Sequence, residues 1–408
     1  IETPEGHYTV RLPLDGKGRG YRAGDELLVE WELATTRLAA LQHLMAEGAE
    51  EGCHYSAGLA ERVEEARRLL REAESGDMPH RSKAGWEALS ILMRAAEDTV
   101  QEVSRHRIAA HPGKPFRLGA NAFHYATPED DYAKYYLQAL NYGTVPFYLK
   151  GFEPERGNPQ YERPLTEAGW LKANGAEAKG HPLIWFYPDT TPDWLRELYK
   201  AEGYAGLRRE VYDHVFETVS HCKDTIRIWD VINEAHGWAN CLGLSLAELR
   251  DITRAGCEAA RAADPEALLV VNNCYLTAEY VAGGHDVGGP APQERLCSAY
   301  QYGQALLEEG VDFDVLGLQL YYPSRDQFEI YRLIDRFAGL GKPLHVTELA
   351  VPGSMEPDPM SPYGPDAVKG MGIWRRPWDQ SLQAEWVREF YTLRSEERRV
   401  GKECRSRW

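Results

Sequence analysis

The sequence predicts an α/β protein whose main domain is a (β/α)8 TIM barrel, preceded by an N-terminal extension of β and helical segments. From Phe116 onward, short apolar strands alternate with amphipathic helices in one unbroken series, which is typical of a parallel sheet with crossover helices. Seven such units favour a barrel over a doubly wound sheet, and no Gly-x-Gly-x-x-Gly motif follows the first strand.

The extension divides into two predicted parts before the barrel domain of residues 111–394. Residues 1–34 form a small β element, because alternating runs at 8–12 and 27–31 flank a glycine-rich turn. Residues 35–110 form a helical extension, because their apolar residues recur at three- and four-residue spacing.

The barrel strands are predicted where short apolar runs precede a polar residue. They are expected at 116–120, 144–149, 181–185, 226–231, 268–272, 315–319 and 344–347. After a seventh helix near 383–391, residues 395–408 are dense in charge and contain one aliphatic residue, so they cannot form a strand buried on both faces. We therefore expect the barrel to lack its eighth β/α unit and this tail to be foreign or disordered.

Composition excludes some function classes. The 46 basic and 63 acidic residues give a net charge of −17, the basic residues are dispersed, and no apolar run approaches the roughly 18 residues of a membrane span. Nucleic-acid binding and membrane insertion are therefore not expected. Scattered cysteines and histidines show no metal-ligand spacing, so no metal site is predicted. The 11 Trp and 23 Tyr suit a neutral, polyhydroxylated ligand, although aromatic residues also fill cores.

Two carboxylates stand where a barrel carries its chemistry, at the carboxyl ends of strands. Glu234 and Glu348 each end an apolar strand, where a charge needs a partner or a role. Each could pair with a cation such as Lys150 and only stabilise the barrel mouth. Two such residues on different strands instead favour glycoside hydrolysis, in which one carboxyl protonates the leaving oxygen and the other attacks or activates water.

The segments around the two carboxylates carry distinct motifs, WDVINEA at residues 229–235 and TEL at residues 347–349. These motifs resemble the acid/base motif and the nucleophile strand of glycoside hydrolase family 10, the endo-β-1,4-xylanases. Further agreement lies in residues 170–175 with 180–185, residues 263–267 before Asn272 and Asn273, residues 316–319, and Lys150 with Glu153, Pro154 and Gly157. The resemblance covers roughly residues 116–394 in the correct order.

The resemblance implies a retaining mechanism without a cofactor. Glu234 would be the general acid/base, Glu348 the nucleophile, and Asn233 would hold the sugar 2-hydroxyl. Trp185 could either stack on sugar or belong to the core. The remaining substrate-binding candidates are His181, Lys150, Gln319, Trp185, Tyr321 and Asn273.

Three departures from the family pattern concern the sugar. Residues 146–150 read PFYLK where the family has a Glu-Asn pair before the lysine, and Phe186 replaces a histidine after Trp185. Tyr321 stands where the family places a histidine that orients the nucleophile. A phenol can donate a hydrogen bond there but carries no positive charge.

Three functions follow from these observations. The first is a retaining endo-1,4-β-xylanase acting on a plant polysaccharide, and the second is an exo-acting β-glycosidase or β-glucanase on the same barrel. The third is a carbohydrate-binding protein without turnover, against which the intact Glu234 and Glu348 pair argues. The family resemblance implies an extracellular or periplasmic location, while the oligomeric state stays open.

Overall fold

The computed structural model describes residues 1–3, 6–14, 16, 19–110, 116–122, 131–236, 239–278, 281, 297–321, 324–357, 359 and 372–394. These residues form two compact units. The first takes its described residues from 1–114, 321–336 and 350–399, and the second takes them from 115–320 and 337–349. The barrel domain of residues 111–394 stays a prediction.

The helices and strands follow one another in a regular order. They are β1 Glu2–Thr3, β2 Gly6–His7, α1 Val29–Glu50, α2 Ala57–Ala73, α3 Met78–Ala110, β3 Gly119–Asn121, α4 Asp131–Ala139, β4 Tyr142–Pro146, α5 Leu149–Phe152, α6 Glu162–Ala173, β5 Glu177–His181, α7 Asp193–Cys222, β6 Ile228–Asn233, α8 Leu246–Ala263, β7 Leu268–Asn273, α9 Ala299–Glu308, β8 Val315–Tyr321, α10 Gln327–Ala338, β9 Leu344–Ala350 and α11 Gln380–Arg394. None of the described helices is long and apolar enough to cross a membrane.

The N-terminal segment differs from its sequence prediction. The strand expected at residues 27–31 does not form, and α1 begins at Val29, because Trp31, Ala34, Leu38 and Leu41 recur at helical spacing and are buried together. The described β structure before α1 is the short antiparallel hairpin of β1 and β2. Helices α1 and α2 both pack on the long helix α3, as does α11.

The first unit contains a fully buried carboxylate, Glu97, held by donors from several segments. Arg375 forms an ion pair with it at 3.0 Å, and Trp374 Nε1 and Tyr8 OH donate to it at 2.6 and 2.9 Å. Burial acts to raise the pKa of Glu97, but the Arg375 charge and these hydrogen bonds bring it below its ordinary value. Arg375 also pairs with Glu389 at 2.7 Å. We call these five residues the Glu97 cluster.

The second unit is built on a parallel sheet of seven strands, β3 to β9, each hydrogen-bonded to its neighbour in chain order. The sheet and its crossover helices confirm the predicted (β/α)8 barrel, of which the described residues supply seven strands. Residues 395–408, predicted to be a foreign or disordered tail, lie outside the described residues.

Two strands begin earlier than the apolar pattern indicated. The strand predicted at 181–185 is Glu177–His181, and the one predicted at 144–149 is Tyr142–Pro146. The start of the third barrel strand was not predicted, because Lys179 lies inside it and a lysine usually indicates an exposed position. Its side chain is 1% exposed and forms an ion pair with Asp230, so the polar residue is buried after all.

Apolar side chains of neighbouring strands pack against one another in the barrel. Ile228, Val270 and Val315 from three neighbouring strands form one buried cluster. The ring of Trp229 packs so closely over Gly180 that a Cβ there would lie 2.2 Å from it. These contacts fix β5 and β6 side by side and thereby position the residues at their carboxyl ends.

Candidate active site

The strands β5 to β9 of the second unit bring polar side chains together at their carboxyl ends. An irregularity in the pairing of β6 with β7, between Asp230 and Ile232, adds one residue to β6. Side chains three residues apart in a regular strand point to opposite faces, but the extra residue lets Asp230 and Asn233 face the same way. The irregularity therefore places both of them in the site.

Glu234 follows β6 in a left-handed backbone conformation with φ of 57°, which is uncommon for a residue other than glycine. Its backbone N–H donates to the Asn272 carbonyl at 2.8 Å, which holds the turn in place. Strained backbone of this kind clusters at functional sites, and here it turns the side chain into the barrel mouth.

The carboxyl group of Glu234 is buried among neutral donors. Gln319 Nε2 donates to Oε1 at 2.9 Å, and Trp185 Nε1 donates to Oε2 at 3.1 Å. Among the described residues, no cation forms an ion pair with this carboxyl. Burial, together with the nearby charge of Glu348, raises the pKa of Glu234 to about 8 in spite of the hydrogen bonds from Gln319 and Trp185.

Three amide side chains connect the two carboxylates. Gln319 Nε2 also donates to Asn233 Oδ1 at 3.1 Å, and Asn272 Nδ2 donates to the same oxygen at 2.8 Å. Asn272 Nδ2 in turn donates to Glu348 Oε1 at 2.8 Å. Because both donors occupy the Asn233 oxygen, its amide nitrogen is the group left to donate to a ligand. We call Asn233, Asn272 and Gln319 the amide network.

The amide network depends on the absence of a side chain at residue 317. A Cβ on Gly317 would lie 2.6 Å from Asn272 Oδ1 and 3.0 Å from the methyl group of Thr347. Thr347 Oγ1 donates to the same Asn272 oxygen at 2.5 Å, which fixes the orientation of that amide. Glycine at this position therefore lets Asn272 reach both Asn233 and Glu348.

His181 lies beside Glu348 and contacts Asp230 through its other ring nitrogen. Its Nδ1 is 2.6 Å from Asp230 Oδ2, which also accepts a hydrogen bond from Lys179 Nζ at 2.7 Å. Burial acts to raise the pKa of Asp230, but the Lys179 charge and the His181 hydrogen bond bring it below its ordinary value. His181 Nε2 lies 3.9 Å from Glu348 Oε1, too far for a direct hydrogen bond. The imidazole edge therefore faces the nucleophile candidate from a fixed position.

Aromatic rings line one side of the site. Trp185, left open between sugar stacking and core, is half-buried, donates to Glu234 and stacks on Tyr187 with ring centres 4.8 Å apart. The ring of Tyr148 lies edge-on to His181 at 5.5 Å and at a tilt to Trp185 at 6.0 Å. Burial, followed by the charges of nearby carboxylates, raises the pKa of the Tyr148 phenol above its ordinary value.

The other predicted residues differ in how far the structure connects them to this site. Asn273 is fully buried, and its amide nitrogen donates to the carbonyls of Val271 and Gly317, so its contacts lend no support to a substrate role. Its neighbour Asn272 takes the place in the site, since successive strand residues face opposite sides. Lys150 lies exposed in α5, and Tyr321 ends β8.

Sequence reasoning missed several residues that build the site, namely Asn272 as the connecting amide, Asp230, Lys179 and Tyr148. A signal was available for Asp230 and Lys179. An acid inside an apolar strand, and a lysine two residues before a strand-ending histidine, both require a buried partner of opposite charge. In the part of the chain that the structure describes, no group of three acidic, histidine or cysteine side chains could hold a metal ion.

Comparison with known proteins agrees with this geometry. The family model described as glycosyl hydrolase family 10 matches residues 148–369, more than half of the 408-residue chain. Endo-1,4-beta-xylanase B of Thermotoga neapolitana is 29% identical over 209 residues, which are 48% of this chain and 53% of that protein. Endo-1,4-beta-xylanase B of Paenibacillus barcinonensis is 31% identical over 196 residues, 43% of this chain and 51% of that protein. The chain thus spans about half the length of these relatives.

Solved structures show the same fold at low sequence identity. The GH10 xylanase of Thermobacillus composti aligns with a TM-score of 0.50 at 23% identity, covering 70% of this chain and 81% of that one. Xylanase XynB of Paenibacillus barcinonensis aligns with a TM-score of 0.50 at 22% identity, covering 71% and 82%. The motif at Glu234, the seven parallel strands and the family match lead to one conclusion: the chain belongs to glycosyl hydrolase family 10.

Proposed function

We propose that the protein is a retaining glycosidase that cleaves β-1,4-linked plant polysaccharide, with xylan as its substrate. The observation that carries the proposal is the burial of the Glu234 carboxyl among neutral donors at the mouth of the barrel. Its buried carboxyl has a pKa of about 8, and the amide network connects it to a second carboxylate, Glu348. A carboxylic acid that keeps its proton at neutral pH beside a second carboxylate is what general-acid cleavage of a glycoside requires.

Each step of the mechanism has a group of this chain to perform it. Glu234 donates its proton to the glycosidic oxygen while Glu348 attacks the anomeric carbon, so the sugar–oxygen bond breaks and a glycosyl ester forms. Glu234, now a carboxylate, removes a proton from water, which attacks the anomeric carbon and releases Glu348. The Asn233 amide nitrogen donates to the sugar 2-hydroxyl, a contact that strengthens in the transition state.

The choice of xylan rests on the relatives, which are named endo-1,4-beta-xylanases. A second candidate, an exo-acting glycosidase or β-glucanase, is favoured by the aromatic side of the site. Tyr148 brings a bulky ring next to His181 and Trp185 in the segment where the family has its Glu-Asn pair. A binding protein without turnover is less consistent, because binding alone does not need a protonated buried acid. The extracellular or periplasmic location stays a prediction.

Release of reducing ends from xylan, β-glucan and mannan, measured side by side, tests the substrate. We expect xylan to be cleaved fastest and internally, with short oligosaccharides as products. Cleavage of β-glucan alone, or release of single sugars from chain ends, would favour the second candidate. No release from any of the three would leave binding as the function.

The anomer of the first product, followed by NMR, tests the mechanism. Retention is expected, with the two carboxyl groups about 5–5.5 Å apart as in retaining enzymes. Inversion of the product would contradict the nucleophilic role of Glu348. The variants Glu348→Gln and Glu234→Gln serve as controls, since Glu234→Gln should slow substrates with poor leaving groups far more than activated ones.

A further inference from the structure

Trp185, whose indole N–H donates to Glu234 Oε2 at 3.1 Å, is itself covered by a second aromatic ring. The ring of Tyr187 stacks on the indole with ring centres 4.8 Å apart and planes 20° from parallel. Phe186, which lies between them in the chain, is buried. Near-parallel stacking keeps two rings in a fixed relation to each other. The indole face under Tyr187 is therefore closed to a sugar ring.

The loop that carries Tyr187 is fixed from several directions. The Tyr187 carbonyl accepts a hydrogen bond from the Thr190 N–H at 3.1 Å, and the Thr190 carbonyl accepts one from the Lys150 N–H of α5 at 3.0 Å. The Phe186 carbonyl accepts from the N–H of Cys241, which lies between β6 and α8, at 2.9 Å. Because the backbone is held by neighbouring segments on both sides, the Tyr187 ring has a rigid base.

The two donors to Glu234 are held in different ways. Gln319 Nε2 donates to Oε1 at 2.9 Å and also to Asn233 Oδ1 at 3.1 Å, so hydrogen bonds alone fix the direction of this amide. The indole of Trp185 has a single N–H, which it gives to Oε2. The direction of that N–H therefore depends on what packs against the ring.

We propose that Tyr187 is a positioning residue that holds the Trp185 indole in the orientation in which its N–H reaches Glu234. The inference rests on the proposed function, in which Glu234 gives its proton to the glycosidic oxygen. As that proton leaves, negative charge develops on the carboxyl, and a donor already fixed at Oε2 stabilises the charge without having to move. Tyr187 thus acts on the first step of the reaction through Trp185.

A third ring, Tyr148, also lies near the indole of Trp185. Its centre is 6.0 Å from that of Trp185 with the planes tilted by 45°, and it meets His181 edge-on at 5.5 Å. A tilted ring at this distance restrains the indole less than the near-parallel ring of Tyr187 at 4.8 Å, because dispersion contacts weaken steeply with separation. The positioning role is therefore assigned to Tyr187, and Tyr148 serves as the comparison.

Ionisable groups surround Glu234 from the neighbouring strands as well. Glu348 on β9 is a like charge that raises the pKa of Glu234, and the phenol of Tyr148 follows β4. His181 ends β5, and the thiol of Cys274 follows β7. All four stay in place when only the stacked ring on the indole is altered. A change in the titration of Glu234 in such a variant therefore reports the indole contact.

The test removes the stacked ring and compares the result with a matched loss elsewhere. Tyr187→Leu removes the ring, Tyr187→Phe keeps it, and Trp185→Phe removes the indole N–H. The control Tyr212→Leu removes another half-buried tyrosine of the same unit, one that stacks on Phe216 in helix α7 with ring centres 6.5 Å apart. For each variant, kcat/KM is measured over a range of pH with aryl glycosides that have good and poor leaving groups.

We expect Tyr187→Leu to lower kcat/KM by about 3- to 10-fold for poor leaving groups, and much less for good ones, which need no acid. The basic limb of the pH profile should move upward by about half a pH unit, because the carboxylate loses a donor. Trp185→Phe should give the same pattern with larger changes. Tyr187→Phe and Tyr212→Leu should stay close to wild type.

The indole N–H resonance of Trp185 gives a test that does not depend on turnover. The resonance missing from Trp185→Phe assigns it. In wild type it should shift as Glu234 titrates, with a midpoint of about 8, because the donor senses the charge of its acceptor. Tyr187→Leu should lose most of this pH dependence, whereas Tyr148→Leu should keep it.

The inference is overturned if Tyr187→Leu slows good and poor leaving groups equally, as the loss of a sugar-stacking surface would. It is also overturned if the indole resonance of Tyr187→Leu titrates as in wild type, or if Tyr148→Leu abolishes that titration instead. Glu234→Gln separates these failures from that of the proposed function. If Glu234→Gln loses activity on poor leaving groups while Tyr187→Leu behaves as Tyr212→Leu, the proposed function stands and the role of Tyr187 falls. If Glu234→Gln keeps full activity on poor leaving groups, both are wrong.

Discussion

Glu97 of the first unit and Glu234 of the second are both buried carboxylates, yet their pKa values move in opposite directions. Glu97 has an arginine at 3.0 Å, and its pKa falls below the ordinary value. Glu234 has neutral donors and a second carboxylate nearby, and its pKa rises to about 8. Burial is common to both, so the partner decides the outcome. A buried acid with a cation stabilises the fold, whereas one without a cation holds a proton that chemistry can use.

The largest expected effect is the loss of stability when the Glu97 cluster is broken. Glu97→Gln should lower the free energy of unfolding of the first unit by about 3–5 kcal/mol, because Arg375 stays buried with one carboxylate fewer. Urea unfolding measures this effect. The matched control Glu87→Gln changes a half-exposed glutamate on the same helix and should stay within about 0.5 kcal/mol of wild type.

The pH dependence of this loss has a definite sign. A carboxyl whose folded pKa is lowered contributes stability above its unfolded pKa and loses it as pH falls through the folded value. The difference in the free energy of unfolding between wild type and Glu97→Gln should therefore become smaller as the pH falls below about 4. A gap that stays constant down to pH 2 would show that the charge of Glu97 is not what stabilises the cluster.

The opposite trend is expected at Glu234. Its raised pKa means that stability is fully present below the unfolded value and is lost as pH rises toward about 8. Relative to wild type, Glu234→Gln should therefore gain roughly 3 kcal/mol in the free energy of unfolding between pH 4 and pH 7. Thermal unfolding at several pH values checks this trend. If the stability of Glu234→Gln relative to wild type does not increase with pH, the pKa of Glu234 is not raised in the folded protein.

A smaller loss of stability is expected when the packing of the site is changed without changing its charge. Gly317→Ala forces Asn272 to move, so we expect a loss of about 1–3 kcal/mol in stability. The larger consequence should be on activity, because Asn272 positions both Asn233 and Glu348. Gly303→Ala on α9, where a Cβ would meet side chains no closer than 3.3 Å, is the control. Equal activity in the two variants would remove the amide network from the mechanism.

The sequence predicted the parts of the molecule that follow a repeating pattern. The alternation of strands and helices identified the barrel, and the motif around Glu234 identified the family and both carboxylates. It failed where a contact between distant residues changes what a local pattern means. The charge of Lys179 suggested an exposed segment, but Lys179 is buried because it forms an ion pair with Asp230. Residues 27–31 alternate like a strand, but a helix that packs on α3 begins at Val29.

The choice between Asn272 and Asn273 could not be made from the sequence for a related reason. Two adjacent amides at a strand end are equivalent in the chain, and only the register of β7 decides which one faces Glu348. The direction of the Asp230 side chain could not be predicted either, because it depends on the extra residue in β6, and no turn residue or glycine in the sequence marks that irregularity. Sequence patterns give strand order, whereas the direction of each side chain depends on pairing.

The most direct test of the central claim is a titration of Glu234 by ¹³C NMR in protein labelled at the glutamate carboxyl carbon. The resonance missing from Glu234→Gln assigns the signal. The claim that burial beside Glu348, without a cation, keeps this acid protonated predicts a midpoint of about 8 in wild type and a lower one in Glu348→Gln. A wild-type midpoint in the ordinary range of about 4–5 would contradict it, because the acid would then be ionised at neutral pH.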